Sequence, residues 1–141
     1  MLGVEAAEQI FFSPQTDLSD LLGQFRPRGS EFVWEDGPLL RGVKQGGVVA
    51  LVDLNLAPQQ VIEGVNSLFD HRGSIFVVEL NQEFRKAESF SPVVLLRRDK
   101  GQGRKGLPNS FLNRFVKLAI PDVPVSTKID YLTRRFDCLK R

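Results

Sequence analysis

Five consecutive residues, Val48, Val49, Ala50, Leu51 and Val52, carry no polar side chain and stand between Gly46-Gly47 and Asp53. A strand that is apolar on both alternating faces suits burial on both sides, which predicts an inner strand of a largely parallel sheet. The flanking segments change period. Upstream, Leu39, Leu40 and Val43 share one helical face; Asp36 suits the N-cap, and Pro38 falls in the first turn, where its missing N–H costs nothing. Downstream, Val61, Ile62, Val65, Leu68 and Phe69 recur at helical spacing, with Gly73 beyond them as a C′ candidate.

The same alternation runs along the chain. Ile10-Phe11-Phe12, SIFVVEL, residues 92–96 and residues 116–120 read as further strands. A short helix capped by Asp17 or Ser19 closes at Gly23, LPNSFLNRF gives another, and residues 125–139 form a terminal one. Pro27 to Ser30 reads as a breaker-rich connection, and residues 81–91 as a polar turn or hairpin extension. Strands alternating with helices predict a three-layer α/β fold with a mostly parallel sheet. At 141 residues the chain fits one domain.

Charge excludes little but directs the search. The 19 basic and 17 acidic side chains leave a net charge of +2, no global case for nucleic acid or an anionic membrane. Cys138 is the single cysteine, so no internal disulfide forms, which suits a reducing compartment. No run approaches the roughly 18 apolar residues of a membrane span. MLGVEAAEQIFF lacks the basic start of a signal peptide. A soluble intracellular chain is expected.

Few residues carry chemistry. Asp53 ends the apolar strand where P-loop NTPases hold Mg²⁺, although an aspartate there also simply ends a strand. Arg97, Arg98, Lys100, Arg104 and Lys105 alternate with glycines in a loop suited to phosphate or RNA, or merely to solvent. Arg114, set among Phe111, Leu112 and Phe115, fits an outward arginine finger or a surface ion pair. His71, the sole histidine, has no second ligand for a metal and fits a helix C-terminus. Trp34 reads as a packing anchor. Neither Gly-x-Ser-x-Gly nor Gly-x4-Gly-Lys-Ser/Thr occurs in the sequence.

Taken in order, PQTDLSDLLGQF, FVWEDGPLLRGVKQGG, VVALVDLNLAPQQVIEGVNSLFDHRG and GRKGLPNSFLNRF resemble the ring modules of the midasin family of dynein-related AAA+ ATPases. The likeness runs from about Gln9 to the chain's end. It implies one AAA+ domain over residues 1–141, with a three-layer αβα P-loop NTPase core. ATP and Mg²⁺ are the implied cofactors, and adjacent AAA+ modules and pre-60S ribosomal particles the implied partners, in the nucleus. By the same resemblance Asp53 lies in the Walker B segment, Arg114 in the arginine-finger helix, and residues 79–90 in a β-hairpin insert.

The departures from that pattern shape the expectation. The Walker A loop is missing, so the core is expected to be incomplete at its N-terminus and to lack its helical lid. Without an alignment gap, Val52 takes the Walker B aspartate's place and Asp53 the next one; Leu96 takes the sensor-1 asparagine's place. Adjacent strand residues face opposite ways, so Asp53 does not simply replace the lost acid. The expected function is a partial or degenerate module, structural or donating Arg114 in trans. One alternative is a complete ATPase whose Walker A lies upstream; another is an RNA- or ribosome-binding module acting through the basic loop. A missing strand predicts an uncovered sheet edge and self-association.

Overall fold

The computed structural model describes residues 8–97 and 106–136. Its centre is a parallel sheet of three strands, β1 (Glu8–Phe11), β4 (Gly47–Val52) and β7 (Phe90–Leu95), in the order β1-β4-β7. Register places Ile10 beside Leu51 and Leu51 beside Val94, so these three share one face. The neighbouring pairs Phe11–Val52 and Val52–Leu95 share the other.

Helices cover the first face. α1 (Leu18–Leu22) is capped by Asp17, whose side chain meets the Asp20 backbone while the Asp20 carboxylate accepts from the Asp17 N–H. This reciprocal cap satisfies two donors that the first turn leaves open. α2 (Pro38–Gln45) lies across all three strands with Leu39, Leu40 and Val43 buried. Its approach is close: a Cβ on Gly42 would stand 2.5 Å from Val49 Cγ2. α3 (Gln59–Val65) buries Val61, Ile62 and Val65, and the 3-10 turn Asn66–Phe69 continues it with Leu68. α4 (Asn109–Leu112) is pinned by Phe111, whose ring lies 5.5 Å from Phe69 and 5.3 Å from Phe115. The expected α/β core is therefore present.

Two antiparallel hairpins interrupt the crossovers. β2 (Gly23–Arg28) and β3 (Glu31–Asp36) pair around Gly29-Ser30, a stretch expected only as a connection. Gly23 turns the chain from α1 into this ribbon at φ 130°, where a Cβ would collide with the Glu35 carbonyl at 2.4 Å. Phe25 and Trp34 meet edge to face across the ribbon at 5.3 Å. β5 (Ser74–Val77) and β6 (Gln82–Arg85) form the second hairpin, which begins before the expected insert at residues 79–90. SIFVVEL is accordingly a strand only as far as Val77; Val78–Leu80 form a 3-10 turn.

Other expectations are corrected. The N-cap of α2 is Gly37, because Asp36 is still paired in β3. Gly73 turns at φ 59° after Asp70, His71 and Arg72 rather than directly closing α3. The run 48–52 is buried on one face only: Val49 and Leu51 are enclosed, whereas Val48 is exposed. Residues 116–120 form no strand; Val116, Leu118 and Ile120 are 91%, 87% and 88% exposed. An edge strand is held by its neighbour's ladder, and no described strand lies beside this segment. α5 (Val125–Arg135) forms where a terminal helix was expected, with no buried residue; residues 137–139 lie outside the described residues.

Asp36 ties the first hairpin to α2. Its carboxylate accepts from Trp34 Nε1 at 2.7 Å and Lys44 Nζ at 2.6 Å, and its carbonyl accepts from Arg41 at 2.8 Å. Burial raises the Asp36 pKa, but the hydrogen bonds from Lys44 and Trp34 and the charges of Lys44 and Arg41 outweigh it and leave it below the ordinary value. A carboxyl depressed in the folded state stabilises the fold above its unfolded pKa and loses that contribution as pH falls through the folded value. Urea unfolding across about pH 5 to 2 is expected to show a shallower acid loss for Asp36→Asn than for the parent. Parallel profiles would contradict this role.

Candidate functional site

The carboxyl ends of β4 and β7 lie side by side, the edge at which open α/β sheets place ligands. Asp53 follows β4 directly and turns the chain at φ 57° and ψ 38°, a left-handed conformation that aspartate tolerates better than most side chains. Its N–H donates to Leu95 O at 2.9 Å, extending the ladder between the two strands by one bond. The Leu56 N–H returns to Asp53 O at 2.9 Å and opens the 3-10 turn Leu54–Leu56. Backbone geometry thus holds the carboxylate over the sheet's end, with the side chain only 10% exposed.

Arg97 meets it there. Two residues beyond β7, Arg97 donates from Nε to Asp53 Oδ1 at 3.1 Å and from Nη2 to Asp53 Oδ2 at 2.6 Å. A two-pronged guanidinium–carboxylate pair fixes orientation as well as charge. Asn55 Nδ2 reaches the Arg97 carbonyl at 3.5 Å, a long contact. Asn55 Oδ1 is buried without a hydrogen-bond partner among the described residues. Asp53, Asn55 and Arg97 therefore form one polar cluster at the junction of two strands.

Mg²⁺ is commonly held by one or two carboxylates together with phosphate oxygens and water. At this edge the carboxylate is Asp53, and a guanidinium engages both of its oxygens. The neighbouring position, Val52, offers no ligand, and the described residues contain no group of three His, Cys, Asp or Glu placed to hold a metal. The arrangement does not fit Mg²⁺, and no chemical step is derived through one.

Arg114 sits apart from this cluster. It follows α4, is exposed, and donates from Nη1 to both the carbonyl and Oδ1 of Asn66 at 2.6 Å each. It thereby closes the C-terminal end of α3. Sequence reasoning singled out Asp53, Arg97 and Arg114 separately; the fold brings the first two together across 44 positions. Asn55 was missed, although its place in LNLAP just past the acid was the available signal. Of the basic loop, Arg98, Lys100, Arg104 and Lys105 lie outside the described residues. His71 is exposed in the turn where Asp70 binds Arg72 at 2.6 Å. Trp34 is the packing anchor expected of it, with its indole N–H satisfied by Asp36.

Comparison with known proteins places this architecture. The AAA domain (dynein-related subfamily) matches residues 5–115. Midasin of Giardia intestinalis is 46% identical over 125 residues, covering 88% of this chain and 3% of that protein. Midasin of Dictyostelium discoideum is 43% identical over 117 residues, 79% of this chain and 2% of the relative. The denitrification regulatory protein NirQ of Pseudomonas aeruginosa is 31% identical over 100 residues, 71% of this chain and 38% of that one. In fold, the chain resembles a solved Cytophaga hutchinsonii protein described as a candidate ATPase. The TM-score is 0.69 at 17% identity, over 91% of this chain and 37% of the other. The chain spans only a few per cent of the midasins it matches. With the family match spanning residues 5–115 and midasins similar over most of its length, the chain belongs to the dynein-related subfamily of AAA domains and is midasin-like.

Proposed function

We propose that this chain serves a midasin-type ring of AAA+ modules as a structural and trans-acting segment, without hydrolysing ATP by itself. The ring's work, on this reading, is the ATP-driven remodelling of pre-60S ribosomal particles in the nucleus. The observation that carries the proposal is the Asp53–Arg97 pair. An acid that is to hold a metal or orient a water must present oxygen to it, and here the oxygens face a guanidinium. Val52 in the preceding place and the lack of any Gly-x4-Gly-Lys-Ser/Thr in the sequence point the same way.

Arg114 is the group through which the chain acts on a neighbour. It projects from an element locked by three phenylalanines, so its position is set by packing rather than by a loose loop. Its bonds to Asn66 are exposed and neutral on the acceptor side. A phosphate oxygen, charged and multivalent, is the stronger acceptor and displaces them. Arginine supplied in this way neutralises charge that develops on a transferring phosphoryl group.

Two measurements test this. Water-proton relaxation during a Mn²⁺ titration is expected to be the same for the chain and for Asp53→Asn; enhancement that the substitution abolishes would contradict the closed site. In the assembled ring, Arg114→Ala is expected to slow ATP hydrolysis at the adjoining module by ~10³-fold or more. Unchanged turnover would remove the trans-acting role.

A further inference from the structure

The first hairpin is amphipathic, and its two edges differ. Register sets Phe25 beside Trp34 and Pro27 beside Phe32, so one face of the ribbon is apolar. The other face carries Gln24, Arg26 and Arg28 on β2 against Glu35, Val33 and Glu31 on β3. Neither face is covered: Phe32 is 73% exposed, Phe25 47% and Val33 42%. The two-residue turn Gly29-Ser30 makes Arg28 and Glu31 a hydrogen-bonded pair. By alternation, the backbone N–H and C=O groups of Phe32 and Trp34 point away from β2. No further strand lies beside β3 among the described residues. On the opposite edge the matching outward position falls on Pro27, which has no N–H to donate. One edge is thus blunted and the other open.

We propose that the β3 edge receives a short extended segment of another polypeptide, in which two basic residues flank a core of alternating apolar side chains. Alternation reads that pattern off the edge, because an added strand takes the next place along each cross-strand row. Opposite Phe32 and Trp34 its side chains fall on the apolar face and extend the rows Pro27–Phe32 and Phe25–Trp34. Opposite Glu31 and Glu35 they fall on the charged face beside carboxylates. Glu35 is engaged by the exposed Arg26 at 3.0 Å, and Glu31 by no cation among the described residues. Opposite Val33 the central residue meets a cleft of about 370 Å³ lined in part by Arg26, Arg28, Val33 and Glu35. The partner pattern is therefore Lys/Arg-apolar-x-apolar-Lys/Arg, which reads the same in either strand direction.

Charge and sequence narrow the occupant further. A nucleic acid would set its phosphates against Glu31 and Glu35, the charges on the open strand, and is disfavoured there. A second copy of the chain lacks the pattern. Basic residues stand four positions apart only at Lys100 and Arg104, with Gly101 and Gly103 where apolar side chains are needed. In strand addition the backbone bonds supply affinity and the side chains select the partner. The outward groups of two residues and two solvent-exposed ion pairs make a small, exchangeable contact. The inference goes beyond the proposed function and holds whether or not the chain works within a ring.

The test titrates the 141-residue chain with the blocked peptide Thr-Lys-Val-Thr-Val-Lys-Thr. Binding is read from the emission of Trp34, the single tryptophan, and from hydrogen exchange at the Phe32 and Trp34 amides. Saturable binding that slows those two amides by about tenfold is expected. Glutamate in place of both peptide lysines is expected to weaken binding by about tenfold. The Glu31→Lys, Glu35→Lys double variant is expected to prefer the glutamate peptide, a reversal that a loss of folding cannot produce. A peptide N-methylated throughout Lys-Val-Thr-Val-Lys, and so without backbone donors, is expected not to bind. No saturable binding, indifference to the charge exchange, or slowed amides confined to another element overturns the proposal. So does a self-associated chain that protects Phe32 and Trp34 without peptide, or an oligouridylate that binds this edge in the peptide's place.

Discussion

Both described crossovers of this fold, β1 to β4 and β4 to β7, advance across the sheet in one direction, and right-handedness gathers their helices onto one face. The distribution of apolar side chains follows from that. Ile10, Val49 and Leu51 meet α2 and form the core, while Phe11, Val48, Val93 and Leu95, one residue along each strand, face outward. Alternation by single residues means that the strands cannot be apolar at every position without both faces being at stake. The core that does form is dense where it must be: Gly42 lets α2 sink onto Val49, and Gly64 lets α3 meet Leu18 of α1.

The polar edge depends on the same sheet. Because β4 and β7 are parallel and in register, Asp53 and Arg97 leave neighbouring strand ends one position out of step. The Asp53 N–H bonded to Leu95 holds the carboxylate where an arginine two residues further can grip it with two donors. The acid thus links the ends of two strands. Arg97 remains largely exposed, so solvent screens the pair and its contribution to stability is small beside its effect on what the carboxylate can bind.

Much of the architecture was legible in the chain. A glycine-flanked apolar run marked β4, the apolar run 92–96 marked β7, helical spacing marked α2 and α3, and Asp17 with Gly23 marked the ends of α1. The resemblance carried by GPLLRGVKQG, LNLAP and GRKGLPNSFLNRF agreed with the matched family. Other features were hidden for physical reasons. Pro27 to Ser30 look like a linker because a two-residue hairpin turn uses the same residue types. Residues 116–120 have a strand's alternation but no partner, and alternation alone does not make a ladder. The meeting of Asp53 with Arg97 is a long-range contact fixed by strand order, which no local pattern records. Arg114 was read as pointing outward, and its hold on Asn66 likewise depends on how α4 settles against α3.

The claim at the centre of this account is that the carboxyl edge is closed to nucleotide by its own residues. Equilibrium binding of labelled ATP to the 141-residue chain, with and without Mg²⁺, tests it most directly. The account predicts no saturable binding up to millimolar nucleotide in either condition. Saturable binding that requires Mg²⁺ and is lost in Asp53→Asn would show that the carboxylate leaves Arg97 for the metal, and the account would be wrong.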